Sequence, residues 1–504
     1  MHATTRARQT DGISRRVRVV FGPNMSRASA MPVVARIARC ARGAGARARS
    51  ISCREEALFS HDAPPPEGTH FDVVVAGNGP IGAAVARRVC ERAPKASVLV
   101  LDSERLTSGS DDLGRIVRPL DAEGRDDWTT ANVRSIEAFE GMAKESGIEF
   151  FTRQGSLAIG SEAFLERGAS RLRERGVAHE RAEATSGRLA EKFPFWGDVD
   201  VPEEYEAVWD DVGGFVNPHA MRAAQNALMR RASGGEAKIV RATCERVESN
   251  RELGTCSIRT STGAEYTCGT CVLACGCYTE PLARECGLLE SDKDEVKSFG
   301  EVKIARRTVL LAEVLESEVR GALASMPTMK YEVPRHVLDA ARVKSETNAG
   351  GSDHSRNEAK SVYVLPPIYY PGPTPSAGWY VKIGGGPLDY FDKSDPSFVR
   401  TESELEEWMA GSGDEAVADQ LHEILFHMFP KTNFQSLTSK ACAYSTSPDG
   451  AIKTQILGAG ENIVAIAACQ GKGAGPADSI GVDVADIVAA RLGKIGRASC
   501  RERV

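Results

Sequence analysis

Phe71–Asp102, FDVVVAGNGPIGAAVARRVCERAPKASVLVLD, is the stretch whose reading decides the fold. Phe71 to Ala76 is a short valine-rich apolar run, long enough for a buried parallel strand. Gly77, Gly79 and Gly82 follow in G-x-G-x-x-G spacing. The first permits a tight turn, the second lets a pyrophosphate approach the backbone, and the third lets a helix pack closely on the strand. Ala83 to Arg92 reads as that helix, with its N-terminal N–H groups aimed at the phosphates. Ser97 to Leu101 is a second strand closed by Asp102, a carboxylate suited to ribose hydroxyls and unsuited to a 2′-phosphate. Strand, glycines, helix, strand and acid in register predict a dinucleotide site rather than a bare glycine-rich turn. Taken alone, the stretch leaves NAD and FAD equally open.

The composition outside this stretch narrows the class. A chain of 504 residues has room for two to three domains, and 42% hydrophobic with 26% charged residues is ordinary for a globular protein. No apolar run approaches the ~18–20 residues of a membrane-spanning helix. The net charge of −6 hides an asymmetry: residues 1–54 hold twelve arginines, no lysine and one acid, Asp11. Without them, 51 basic residues face 68 acidic ones, so the body is acidic and nucleic acid is not an expected partner. The Arg-, Ala- and Ser-rich N-terminus has the composition of a transit peptide to mitochondrion or plastid, the alternative being a disordered basic tail. Residues 1–70 are expected to be this leader plus a Pro-rich linker, Ala63 to Gly68, without fixed structure. Residues 495–504, IGRASCRERV, match read-through of a common sequencing adapter and carry no functional weight. A peroxisomal address therefore stays open, since a C-terminal tripeptide would be lost. Cys268, Cys271, Cys275 and Cys277 lack the paired knuckles of a zinc site and read as small hydrophobes on a buried strand ending at Gly276; no metal is expected.

Further along, GRIVRPLDAEGR brings Arg115, Arg118 and Arg125, and Trp128 to Ser146 has helical spacing. Phe150 to Ile159 reads as a hairpin. Residues 339–360 contain the polar run SETNAGGSDHSRNEAK, expected as an insertion without fixed structure. Val362–Tyr370 and Gly378–Ile383 are strands, Glu402–Phe429 is mainly helical, Ile463–Ala468 is a strand and Asp478–Leu492 a helix.

The order of these parts resembles the flavin-dependent amine oxidases of the D-amino-acid oxidase superfamily. The branch of monomeric sarcosine oxidase, N-methyl amino acid oxidase and pipecolate oxidase is the nearest in appearance. The resemblance runs from Phe71 to about Leu492 on separated motifs: GNGPIG with Asp102, GRIVRPLDAEGR, AVWDDVGGFVNPHAMRAA, VLACGCYTEPL, IYYPGPTPSAGWYVKIGGG, ACAYSTSPDG and IAACQGKGAGPADSIG. It implies an α/β fold with a discontinuous Rossmann-like FAD-binding domain (71–150, 211–300, 431–494). A substrate domain built on a mixed or antiparallel sheet would take 151–210 and 301–430. It also implies FAD bound by Gly77, Gly79, Gly82, Asp102, Gly276, Gly471, Lys472 and Gly473, with Cys442 as a covalent tether. Arg115 would place a cation near the flavin, Arg118 would clamp the substrate carboxylate, Tyr370 would line the pocket, and Lys382 would promote oxygen reduction. The implied reaction takes a secondary amino acid such as sarcosine or pipecolate to an imine and O2 to hydrogen peroxide, in a protein expected to be a monomer. Two alternatives stand beside it: a dehydrogenase serving a carrier protein or quinone, and an inactive flavin-bound assembly or redox factor. Three departures put the identity of the amine in question. The branch's C-terminal substrate lysine falls near Gly475, with Lys472 three residues earlier; its pocket histidine falls on Gly386; and Gly114 replaces the more usual Thr.

Overall fold

The computed structural model describes residues 61–103, 110–121, 124–290, 293–346, 361–373, 375–385, 399 and 401–501, with backbone only at 295, 341–346 and 494–501. Its strands, in chain order, begin with β1 (His70–Ala76), β2 (Val98–Asp102), β3 (Arg115–Val117), β4 (Phe151–Arg153) and β5 (Ser156–Gly160). Next come β6 (Glu180–Glu183), β7 (Glu206–Asp210), β8 (Gly214–Val216), β9 (Lys238–Arg241) and β10 (Cys244–Asn250). Then follow β11 (Thr255–Thr260), β12 (Glu265–Leu273), β13 (Lys303–Val314), β14 (Thr328–Glu332) and β15 (Ser361–Tyr370). The last are β16 (Gly378–Gly384), β17 (Leu437–Thr446), β18 (Lys453–Leu457) and β19 (Ile463–Ala467). The helices that matter most for the site are α1 (Pro80–Arg92), α2 (Asp126–Ser146), α3 (Pro218–Ala232), α4 (Glu402–Ala410), α5 (Glu415–Met428) and α6 (Ala477–Arg501).

The first sheet runs β10-β11-β12-β1-β2-β9, with β19 also against β12 and β18 against β19. Its centre is parallel: Val75 sits opposite Val100 on β2 and Val272 on β12. Both faces are covered, which is why β1 reads as continuous valine and not as an alternation. Val73 and Val75 pack with Val85, Val89, Ile480 and Val484 of α1 and α6, while Val74 faces a second cluster with Leu99, Leu101 and Ile258. The second sheet runs β17-β13-β16-β15-β14-β5-β7-β6 and is mixed, because β14 and β5 pair in parallel. Helix α5 buries Leu421, Ile424 and Leu425 into its core, alongside Trp196, Trp209 and Tyr331. A small sheet, β3-β8-β4, holds the paired-arginine segment. Among the described residues, no helix is long and apolar enough to cross a membrane.

Four expectations change. Residues 61–70 are not an unstructured linker: Asp62 N–H donates to the Ile239 carbonyl at 2.7 Å, and its carboxylate accepts from Ile239 N–H at 2.8 Å. Gly68 N–H donates to Glu265 O at 2.8 Å, so backbone pairing with the sheet holds this Pro-rich piece down. Phe150–Ile159 is not a hairpin, because β4 pairs with β8 and β5 with β7 and β14. Gly155, with φ of +78°, turns the chain from one sheet to the other between them. Residues 339–346 continue a helix, Arg335–Glu346, whose apolar face reaches α5; the rest of the 339–360 segment and the N-terminal leader lie outside the described residues. Finally, β17 does not join the dinucleotide sheet as the 431–494 boundary expected. It pairs antiparallel with β13 from Lys303↔Thr446 to Ala312↔Leu437, and that long ladder ties it to the second sheet.

Candidate active site

The two sheets meet at a continuous cleft of about 2750 Å³. On its first-sheet side lies the glycine turn after β1. Gly77 has φ of +106°, and a Cβ there would lie 2.4 Å from the Ala274 carbonyl oxygen, so only glycine fits. A Cβ on Gly82 would lie 2.0 Å from the Gly77 carbonyl oxygen; its absence lets α1 close onto the turn, behind the cleft lining. Gly79 differs: no heavy atom lies within 4 Å of its Cβ position, and it lines the cleft. No side chain caps α1, leaving its first N–H groups for a ligand. Asp102 Oδ2 accepts from Asn78 Nδ2 at 3.0 Å and lies 3.5 Å from Arg222 Nη1 and 3.3 Å from His61 Nε2. Asn78 Oδ1 is buried without a hydrogen-bond partner among the described residues. Across the cleft, β12 ends at Leu273 rather than running on to Gly276, which takes φ of +62° in the turn beyond. Gly276 also has open space at its Cβ position. Open glycines, uncapped helix, ribose-side acid and an orphaned buried acceptor fit the ADP half of FAD.

Where the small sheet meets the second sheet, four side chains from three separate stretches of sequence converge. Lys382 on β16, 1% exposed, donates from Nζ to Asp112 Oδ2 at 2.7 Å and to Gly114 O at 2.6 Å. Arg115 Nη1 donates to the same Oδ2 at 2.7 Å. Tyr370 on β15 donates its hydroxyl to Oδ1 at 2.6 Å. Burial pushes Lys382 down to about 8; the Asp112 carboxylate opposes that shift and Arg115 adds to it. Burial alone would raise the Asp112 carboxyl, but Lys382, Arg115 and Lys440 hold it well below the usual range. Burial, reinforced by Asp112, holds the Tyr370 phenol well above its ordinary value, so its hydroxyl remains a donor. Arg118 follows β3 and lines the cleft; its Nη1 is buried with no hydrogen-bond partner among the described residues.

The alternation of β17 turns Lys440, Cys442 and Tyr444 to the cleft. Cys442 stands opposite Arg307 of β13 in register. The Arg307 guanidinium lies 4.6 Å from the Tyr444 ring centroid and donates to its hydroxyl. Gly471, Lys472 and Gly473 form the turn that completes this wall; Gly471 has φ of +67°, and a Cβ on Gly473 would lie 2.8 Å from Cys469 Cβ. Lys472 Nζ donates to buried Asp121 Oδ1 at 2.6 Å and lies 5.7 Å from the Trp128 ring centroid. A Cβ on Gly475 would meet Asn132 Oδ1 at 3.0 Å and the Ile116 carbonyl oxygen at 3.1 Å, so α2 and β3 leave little room for a long side chain. Gly114 has a similar reason: a Cβ there would lie 2.3 Å from Ile368 Cδ1 and 2.8 Å from Leu365 Cδ2. Gly386 lies outside the described residues.

Every expected site residue except Gly82 therefore lines one cleft. Sequence reading missed Asp112, Asn78, Arg222, Arg307 and Tyr444. Asp112 sits in an acidic loop, SGSDD, where a carboxylate looks like a solvated one. Arg306–Arg307 could have drawn notice as two cations inside an apolar strand.

Comparison with known proteins bears on the same arrangement. The family model described as FAD dependent oxidoreductase (DAO) matches residues 72–487. The chain belongs to this family. Its FAD is the cofactor that the cleft residues fit. Within curated DAO relatives, monomeric sarcosine oxidase from Bacillus sp. (strain NS-129) is 27% identical over 218 residues, 42% of this chain and 54% of that protein. The enzyme of the same name from Bacillus sp. (strain B-0618) is 26% identical over 226 residues, 44% of this chain and 55% of that protein. The matches thus span about half the length of these relatives. Among solved structures, NikD, an unusual amino acid oxidase essential for nikkomycin biosynthesis, aligns with a TM-score of 0.58 at 19% identity. That alignment covers 84% of this chain and 97% of NikD. L-proline dehydrogenase from P. horikoshii aligns with a TM-score of 0.59 at 15% identity, covering 84% of this chain and 94% of that one. These structural likenesses show the two-domain DAO fold.

Proposed function

We propose that the protein oxidises the C–N bond of a secondary amino acid, sarcosine, pipecolate or another N-methyl amino acid, to an imine, with O2 reduced to hydrogen peroxide. The observation that carries this reading is the buried cluster around Lys382, placed where the small sheet meets the second sheet and lining the same cleft as the dinucleotide turn. FAD, when bound, supplies the two-electron acceptor. A lysine ammonium in a water-poor wall stabilises negative charge developing on oxygen. Arg118 gives the reading its substrate class: a guanidinium whose buried Nη1 has no partner among the described residues is suited to the planar fork of a carboxylate. With Lys472 bonded to Asp121 and little room at Gly475, Arg118 holds that carboxylate without a lysine at the position usual in the branch. Tyr370 closes the pocket as a neutral hydroxyl. The two sarcosine oxidases support a small secondary amine as substrate.

One observation favours a second reading, electron transfer to a carrier protein or quinone: Lys382 is bonded to Asp112, which offsets part of its charge toward oxygen. Anaerobic mixing with sarcosine, pipecolate, proline and other N-methyl amino acids tests both. Bleaching of the flavin followed by one peroxide per turnover on admitting air is the expected result. Bleaching without peroxide supports the dehydrogenase, and a panel in which no amine bleaches the flavin sinks both.

A further inference from the structure

We propose that Asp112 is a positioning residue that binds Lys382, Arg115 and Tyr370 into a single unit and thereby sets the net charge presented to the flavin. The inference rests on the flavin reading of the cleft and adds a residue to it.

One carboxylate reaches all three side chains. Oδ2 accepts from Lys382 Nζ and Arg115 Nη1, each at 2.7 Å, and Oδ1 accepts from the Tyr370 hydroxyl at 2.6 Å and Leu113 N–H at 2.7 Å. Four donors on an anion whose side chain is 3% exposed leave little freedom to move. The second Lys382 bond, to Gly114 O at 2.6 Å, fixes the direction of the ammonium. The carboxylate comes from the loop before β3, the tyrosine from β15 and the lysine from β16, so these bonds also pin the small sheet to the second sheet.

The charge count gives the consequence. Two cations on one anion leave a single net positive charge. Without Asp112, two like charges would share a buried pocket, and the lysine, being the weaker base, would be the one to lose its proton. Six groups set the field here: Asp112 and Arg115 from the loop and β3, Tyr363 and Tyr370 from β15, and Lys440 and Cys442 from β17. Of these, Asp112 is the carboxylate bonded to Lys382.

The test uses the flavin-loaded protein reduced with dithionite, so no amine is needed. Asp112→Asn should raise the flavin reduction potential when measured at a pH below the variant's own lysine limb, where Lys382 is still charged, because a more positive pocket favours the reduced anion. It should also move the basic limb of the air-reoxidation profile, expected near pH 8 in the parent, down by about 1–3 pH units. Lys382→Met should lack that limb, and adding Asp112→Asn to it should still raise the potential without restoring the limb. A potential and limb unchanged in Asp112→Asn would overturn the proposal. Should that variant not fold, Asp112→Glu decides: it keeps the charge but displaces it, so the limb should move while the potential stays near the parent value. An unmoved limb there overturns the proposal equally. If instead every amine in the panel fails to bleach the flavin, the substrate reading falls while this test still gives its answer.

Discussion

Lys382 and Cys442 stand on the two strands that flank β13, and each carries a separate prediction. Lys382→Met should leave anaerobic flavin reduction within a few-fold of the parent while slowing reoxidation by about 10²–10³-fold, the usual cost of one electrostatic donor. Stopped-flow absorbance separates the two half-reactions, and unchanged reoxidation would remove Lys382 from the chemistry. In the parent, reoxidation should decline above about pH 8 as the ammonium loses its proton. The same depressed value makes a stability statement. Between about pH 8 and the ordinary lysine value of 10.5 the unfolded chain binds more protons, so this group's contribution to stability rises with pH across that window. At Cys442 the expected outcome is covalent flavin: acid precipitation should leave the yellow colour in the pellet, and Cys442→Ser should release it to the supernatant. Colour in the parent supernatant would show that Cys442 only lines the site.

At the scale of elements, α1, α3 and α6 are tied by buried Asp478. Arg88 Nη2 reaches Oδ2 at 2.5 Å; Arg87 Nη1 and Gln225 Nε2 each reach Oδ1 at 3.3 Å. Both arginines keep Glu91 when Asp478 is removed, so Asp478→Ala should cost about 1–3 kcal/mol, read from the urea midpoint at unchanged slope. A loss below about 1 kcal/mol would mean that water reaches Arg87. Of these helices, α1 was legible in the sequence because it follows the glycine turn, and α6 as the helix Asp478–Leu492. The network joining them was not, since Arg87 and Asp478 lie 391 positions apart and each alone resembles a surface charge. The strand after Gly155 taught the same lesson. The sequence reads strands on both sides of Gly155, but backbone partners are chosen by tertiary placement, and the apparent hairpin divides between two sheets.

For the whole molecule, the cleft is lined by residues of both sheets, so a cofactor held there would bridge them. In the Cys442→Ser protein, stripping FAD should lower the melting temperature, and adding it back at about 100-fold its dissociation constant should restore about 2.7 kcal/mol. Calorimetry with and without FAD checks this. A melting temperature indifferent to FAD would mean that the domains hold together through β3, β8 and the Asp112 cluster alone.

The sequence by itself determined the dinucleotide turn, because Gly77, Gly79, Gly82 and Asp102 act through backbone geometry and local spacing that any reader of the chain can see. Resemblance to the oxidase family, carried by short motifs, pointed to Arg115, Arg118, Tyr370, Lys382 and Cys442. Tertiary structure decided how those residues are connected. Only folding places a loop carboxylate, Asp112, against a lysine 270 residues away, sets Arg307 across from Cys442 and leaves little room at Gly475. Burial is the physical reason: an acid in SGSDD is cheap to solvate in the unfolded chain, and becomes the hub of a site only once the sheets have excluded water around it.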